Sequence, residues 1–327
     1  MFLHFGIRDF GIVIRMVREA NIIESINRME LVKRFQDQAL IFSLYRSYDF
    51  LGERGGFFNL TQVKSLDCIP YWKIYNQEEL PDLKKNLKEA SKTFFNEYMK
   101  AIEQEIAGLD IPEYTTAEIN NVNDEIEIKM KATKELVMKF SNLEIKDEAN
   151  LKTTVQSALF KEFETSKEKI IDTNIVKDTV LDAINSLNFK SSHSKEGSDC
   201  PSDEEVFEDA NGVTIDEAEN MIRERITEKI SELESNLTDD FITEGLSIDV
   251  ETTNVGSEVT SDCSEQPDNE TCTTFCNFDY LGFADVLITV KNENKQFLIE
   301  NELKPISFKF RVIDGNLEVE PNTNTCD

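Results

Sequence analysis

Apolar residues recur at helical spacing through the first part of the chain. Ile22, Ile23, Ile26, Met29, Phe35, Leu40 and Leu44 predict one or two helices over 22–50, and Gly55-Gly56 stops them. The apolar stretch Cys68-Ile-Pro-Tyr-Trp-Lys-Ile-Tyr75 reads as an edge strand, with Pro70 near its start, where a missing amide donor is tolerated. Leu80, Leu83, Leu87, Ala90, Phe94, Tyr98, Ile102 and Ile106 then recur at intervals of three and four, the core face of a helix. That helix ends at Gly108, and the period changes. Ile126, Ile128, Met130 and Ala132 alternate with charged residues, as in a strand with one wet face. Residues 115–119 supply its partner across the turn residues Asn120, Asn121, Asn123 and Asp124, and 136–140 and 143–145 extend the antiparallel sheet.

A second helical run over 151–187 carries Val155, Leu159, Phe163, Ile170, Val176, Val180 and Ile184, with a break near Thr173-Asn174. Residues 191–211 hold only Val206 and Phe207 as sizeable apolar groups and read as a linker or long exposed loop. Thr214-Ile-Asp-Glu217 is a capping box, in which hydroxyl and carboxylate each satisfy an amide of the first helical turn. The helix behind it uses Ala218, Met221, Ile222, Ile226, Ile230, Leu233 and Leu237. After Gly245 come a strand at 246–250, a cysteine-rich loop, and two alternating runs at 284–290 and 308–312; Asp314-Gly315 then turns the chain so that Leu317 and Val319 fold back. The expected fold is α+β, long amphipathic helices packed on antiparallel sheets in two helix-plus-sheet modules. The expected divisions are an N-terminal helical segment at 1–56, a first α+β domain at 57–190, an acidic linker at 191–213 and a second α+β domain at 214–327. Gly108-Leu-Asp-Ile111 and Gly245-Leu-Ser-Ile248 close corresponding helices, which is compatible with duplication.

Charge narrows the function. The 327 residues contain 35 Lys+Arg against 64 Asp+Glu, a formal net of −29, so nucleic-acid binding through a broad basic face is excluded. Hydrophobic residues at 39%, with 22 Phe, are enough for a real core. The acidic excess lies downstream of residue 54. The N-terminal segment is interrupted by Arg8, Asp9 and Arg15, too often for a membrane span. It reads as an amphipathic helix packed on the fold, or as the remnant of an anchor that could face anionic lipid.

Four of the six cysteines, Cys263, Cys272, Cys276 and Cys326, fall near the C-terminus among turn-forming polar residues, a pattern of disulfides in an oxidising compartment, with zinc as the rival. Four cysteines allow three connectivities. Asn59-Leu-Thr, Asn236-Leu-Thr and Asn269-Glu-Thr are glycosylation sequons, so Asn59, Asn236 and Asn269 are candidate acceptors. No Lys or Arg occurs between Lys229 and Lys291, where Asp262, Glu265, Asp268 and Glu270 are calcium candidates against the alternative of solvated surface charge. Nucleophile elbow, phosphate loop and zinc-protease motifs are missing, and two histidines leave little for general base chemistry, so no catalytic residue and no cofactor is assigned.

The order of the 40–44 helix, Gly55-Gly56-Phe57-Phe58, Ile69-Pro70-Tyr71-Trp72, a helix near Leu80-Pro81 and Thr115-Thr-Ala-Glu-Ile119 resembles uncharacterised single-span surface proteins of small-genome (DPANN-type) archaea. Cys276-Asn-Phe-Asp-Tyr280, with 284–290 and 308–312, is similar to outward-facing β segments of pilin-like and secreted archaeal proteins. The resemblance implies an N-terminal membrane helix and an external globular part; the expected apolar span is missing here. Together these features predict a non-enzymatic, exported or cell-surface protein of structural, adhesive or partner-binding role, whose partners are other envelope or surface proteins and, through the N-terminal segment, the membrane. The rivals are a secreted carboxylate-dependent or calcium-assisted hydrolase and a cytosolic acidic interaction protein.

Overall fold

The computed structural model describes residues 3–122, 125–140, 143–157, 159–268, 270–299, 302–318 and 321, with side chains of the first helix from residue 18 onward. Along the chain run α1 (Leu3–Glu53), β1 (Ser65–Leu66), β2 (Ile69–Ile74), β3 (Gln77–Glu78), α2 (Leu83–Glu105), β4 (Leu109–Asp110), β5 (Tyr114–Val122), β6 (Glu125–Ala132), β7 (Leu136–Phe140), β8 (Leu143–Asp147) and β9 (Leu151–Gln156). Then come α3 (Leu159–Ser166), a π-helical turn (Lys167–Ile171), α4 (Ile175–Ser186), β10 (Ser192–Gly197), α5 (Asp203–Asn211), α6 (Ile215–Thr243), β11 (Ser247–Pro267), β12 (Cys272–Ile299) and β13 (Glu302–Gly315). The fold is α+β.

The compact units do not follow the sequential division expected. One comprises Met1–Leu51, Asp82–Phe160 and Phe297–Lys304; the other comprises Gly52–Pro81, Lys161–Gln296 and Pro305–Asp327. Sequence patterning marks where elements start and stop, whereas the pairing of β2 with β13, 240 residues apart from Tyr71 to Arg311, is a relation between strands remote in order.

In the first unit, α1 is a single helix whose buried face carries Met29, Val32, Gln36, Leu40, Leu44 and Tyr48. No described helix is long and apolar enough to cross a membrane. On α2, Asp82 caps the start by accepting from the Lys85 amide at 3.0 Å. Asn96 holds the start of β5, accepting from the Tyr114 amide and donating to the Tyr114 carbonyl, both at 2.8 Å. β5, β6 and β9 form one antiparallel sheet, and β4, β7 and β8 a second. The expected β5–β6 pairing is present, but 151–156 is strand rather than helix. Leu-Lys-Thr-Thr-Val-Gln alternates with period two, and partnering by β6 decides against the helical reading. Asn123 and Asp124 lie outside the described residues.

In the second unit a seven-stranded sheet runs β1-β2-β13-β12-β10, with β11 also on β12 and β3 on β2; only β2 and β13 pair in parallel among the pairings described. Trp72 is fully buried in β2, stacked on Phe310 at 4.0 Å, and its indole N–H donates to the Gly55 carbonyl at 2.9 Å. The Thr214–Glu217 capping box is formed, and α6 buries Ala218, Ile222, Ile226, Ile230, Leu233, Leu237 and Phe241. The break at Asn174 is real, with φ 55° in the left-handed region. The segment expected as an acidic linker is instead β10 and α5. Ser202 and Glu205 make a second capping box, and Val206, Phe207 and Ala210 bury one face. Three apolar residues at helical spacing and a strong N-cap suffice for so short a helix when a sheet receives them. The cysteine-rich loop is likewise a long hairpin, paired along 247–267 and 272–291.

Candidate functional site

Buried charge gathers in the second unit where β2, β13 and β12 run side by side. Tyr71 and Arg311 are register partners across the parallel ladder. The Tyr71 hydroxyl donates to Asp285 Oδ2 at 2.9 Å, and Arg311 Nη1 donates to Thr253 Oγ1 at 2.9 Å and lies 3.5 Å from Asp285 Oδ1. Asp67, exposed, stands 3.9 Å from the same guanidinium. Burial pushes the Asp285 carboxyl above its ordinary range, opposed by Tyr71 and Arg311. Burial also raises the Tyr71 hydroxyl, helped by the Asp285 charge.

A second group lies farther along the same two strands. Lys73 Nζ donates to Asn174 Oδ1 and to the Ile171 carbonyl at 3.3 Å, and approaches Glu78 at 3.7 Å and Asp314 at 3.8 Å. Burial pushes Asp314 up to about 6, against the Gly315 amide and Lys73, which favour its charged form. The left-handed Asn174 at the break before α4 is what presents its side chain to the ammonium. Glu162 on α3 is a third buried acid, pushed up to about 8 by burial and opposed by Lys295. At neutral pH it is largely protonated and can donate a hydrogen bond.

Asp285 and Asp314 stand beside the cations just named, whereas Glu162 Oε2 is buried with no hydrogen-bond partner among the described residues; none of these groups lines either of the two polar clefts described. One cleft, of about 460 Å³, is lined by Lys84, Asn120, Asn121, Glu125, Glu127 and Thr154. Another, of about 200 Å³, lies between α4 and α6 and includes Asp178, Asp182, Lys229, Glu232 and Asn236. Lys152 beside Glu127, and Lys229 beside Glu232, hold those carboxyls below the usual range. Acid–base work needs one acid held neutral beside one kept ionised; in each cleft the shifted carboxyl is pushed toward ionisation.

The calcium candidates do not converge. Asp262 faces Asn277 and Glu265 faces Thr274 across the hairpin, and residues three apart on a strand point to opposite sides. Asp268 and Glu270 are exposed near the hairpin end, and among the described residues no group of three or more His, Cys, Asp or Glu is placed to hold a metal ion. Cys263 and Cys276, directly opposite in register, form a disulfide. Cys272 is bonded not within the C-terminal four but to Cys200, a residue the sequence places in a linker; β10 pairing brings Gly197 opposite Cys272 and delivers Cys200 to it. Cys68 is also disulfide-bonded, and Cys326 lies outside the described residues. Asn59 is exposed and accepts from the Thr61 amide and hydroxyl of its own sequon; Asn236 is exposed on α6; Asn269 lies outside the described residues.

Sequence reasoning missed the buried ionic groups. Lys73, Asp285, Arg311 and Asp314 sit in apolar or alternating strands, and their one visible signal is a charged residue on the inward side of a strand. Comparison with protein-family models, with curated proteins and with solved structures yields no match.

Proposed function

We propose that this is a non-enzymatic, exported or cell-surface protein whose disulfide-tied C-terminal hairpin presents an acidic surface to other envelope or surface proteins, in a structural, adhesive or recognition role. The observation that carries the reading is the pair of disulfides, Cys263–Cys276 within that hairpin and Cys200–Cys272 tying it to the segment after β10. Disulfides persist in oxidising compartments, and the net charge of −29 suits a protein that stays dispersed at a crowded surface. The hydrolase reading lacks support from the acids: those with raised pKa are buried away from both clefts, and of the calcium candidates Asp262 and Glu265 point to opposite faces of β11. Contact with a membrane would run through the N-terminal part of α1, where Ile22, Ile23 and Ile26 are exposed. Mass spectrometry of native material, alkylated with and without reductant, tests the proposal. Blocked thiols at Cys200, Cys263, Cys272 and Cys276 are expected. Free thiols at all of them would remove the exported reading and leave the cytosolic one.

A further inference from the structure

Three strands lie side by side at one end of the larger sheet, because residues 272–277 of β12 pair with β10 on one edge and β11 on the other. One face of this end is closed. Phe207 of α5 meets Phe278 at 5.0 Å, Asp209 bonds His193, and Asp203 bonds Ser261. The Cys263–Cys276 bridge joins residues on that same side. Strand alternation sends the intervening residues to the opposite face, which is exposed.

On the exposed face Phe275 stands 43% accessible, with Ser194 and Ser264 as its partners in register. Rows of side chains succeed one another along the strands at roughly 7 Å. The row on one side of Phe275 carries Glu196; the row on the other carries Asp262, and the next carries Asp279. Among the described residues of these three strands no Lys or Arg lies on this face, and the sequence has none anywhere from 230 to 290. The Phe275 ring on β12 is therefore flanked, one row to each side, by carboxylates on the neighbouring strands, Glu196 on β10 and Asp262 on β11, and the rows recur at about the spacing with which an extended chain projects every second side chain.

We propose that this face docks an extended basic segment of another protein, one with Arg or Lys at alternate positions. One cation sits over the Phe275 ring, and its neighbours pair with Glu196, Asp262 and Asp279. The proposal rests on the reading of the C-terminal hairpin as a recognition surface and names the partner's chemistry. Charge complementarity selects a cationic partner, and the ring favours a cation over its negative face. A flat face suits a polypeptide rather than a small molecule, which needs a concave site. The two disulfides hold the strands in register before binding, so little ordering cost falls on the protein.

The test uses the oxidised full chain and a synthetic peptide of alternating arginine and serine, titrated at low and at physiological salt, with a peptide of the same composition and contiguous arginines as the register control. Binding that weakens with salt and favours the alternating peptide is expected. Phe275→Ala should weaken it about two- to fivefold, the range of an exposed cation–π contact. Asp262→Asn/Asp279→Asn should weaken it further, whereas Asp239→Asn/Asp240→Asn on α6, which removes the same charge, should leave it unchanged. Equal losses in the two double variants, no preference between peptides, no binding, or binding of a neutral oligosaccharide in place of the peptide would each overturn the proposal. Intact-mass measurement on the same sample separates the failures: with both disulfides retained, only this face is disproved, whereas free thiols remove the exported reading itself.

Discussion

Lys73 and Asp314 stand 3.8 Å apart across β2 and β13, with 4% and 1% of their side chains exposed. Removing two charges from water costs several kcal/mol for each ion, and only mutual pairing with further hydrogen bonds repays it. Lys73→Met takes away the cation and leaves a buried carboxylate. At pH 8 this should cost about 3 to 5 kcal/mol. At pH 5 the loss should be smaller, because Asp314, already pushed up to about 6, is protonated there. Urea unfolding at the two pH values checks this, and equal losses would show that the pair is not the cause.

Glu162 offers a cleaner titration. Its carboxyl is pushed from an ordinary 4.5 up to about 8 by burial, so the folded state holds a proton that the unfolded state gives up. The sign follows: this group's contribution is fully present below about 4.5 and is lost as pH rises toward 8. Over that window stability should fall by about 1.4 kcal/mol per pH unit from this one proton. Glu162→Gln, neutral in both states, should remove that part of the slope. A variant whose denaturation midpoint keeps the wild-type pH dependence would show that Glu162 does not hold the proton.

The helices and several strands were legible in the sequence because a single element carries its own signal. The stripe from Leu83 to Ile102, the alternation from Ile126 to Met130 and the Thr214–Glu217 box need no knowledge of neighbours. What could not be read depends on partners remote in order. Residues 151–156 become a strand because β6 receives them, and 192–197 because β12 does. Cys200 looked like a linker residue for the same reason. The buried charges were hidden because Arg311 and Asp285 are polar residues in apolar strands, and only the adjacency of β2, β12 and β13 reveals that each has a counter-charge.

The disulfides should differ in what they contribute. Cys263–Cys276 joins residues 13 apart and Cys200–Cys272 residues 72 apart. In the chain-entropy account, closing the longer loop constrains the unfolded ensemble more, giving about 3 kcal/mol for the first and about 4 for the second. Paired Cys→Ser variants, compared by guanidinium unfolding, should reproduce that order. The reverse order would mean that the hairpin bridge acts chiefly on the folded sheet.

Gly108, three residues past the end of α2, and Gly245, two past the end of α6, share a left-handed conformation, with φ of 81° and 74°, and each leads into a strand after one residue or less. Their surroundings differ. A Cβ on Gly108 would lie 2.1 Å from the Lys139 carbonyl oxygen, a backbone atom of β7 that cannot swing aside, whereas a Cβ on Gly245 would meet nothing within 4 Å. Gly245→Ala should therefore cost only the left-handed backbone preference, about 1 to 2 kcal/mol. Gly108→Ala adds overpacking against the sheet and should cost about 3 kcal/mol or more. The Lys139 amide also donates to the Gly108 carbonyl at 2.7 Å, so relieving the clash by moving β7 away breaks that bond. Hydrogen exchange at Lys139 should accordingly speed up in the Gly108 variant and stay unchanged in the Gly245 variant. Equal stability losses would mean that Gly108 is retained for its φ alone.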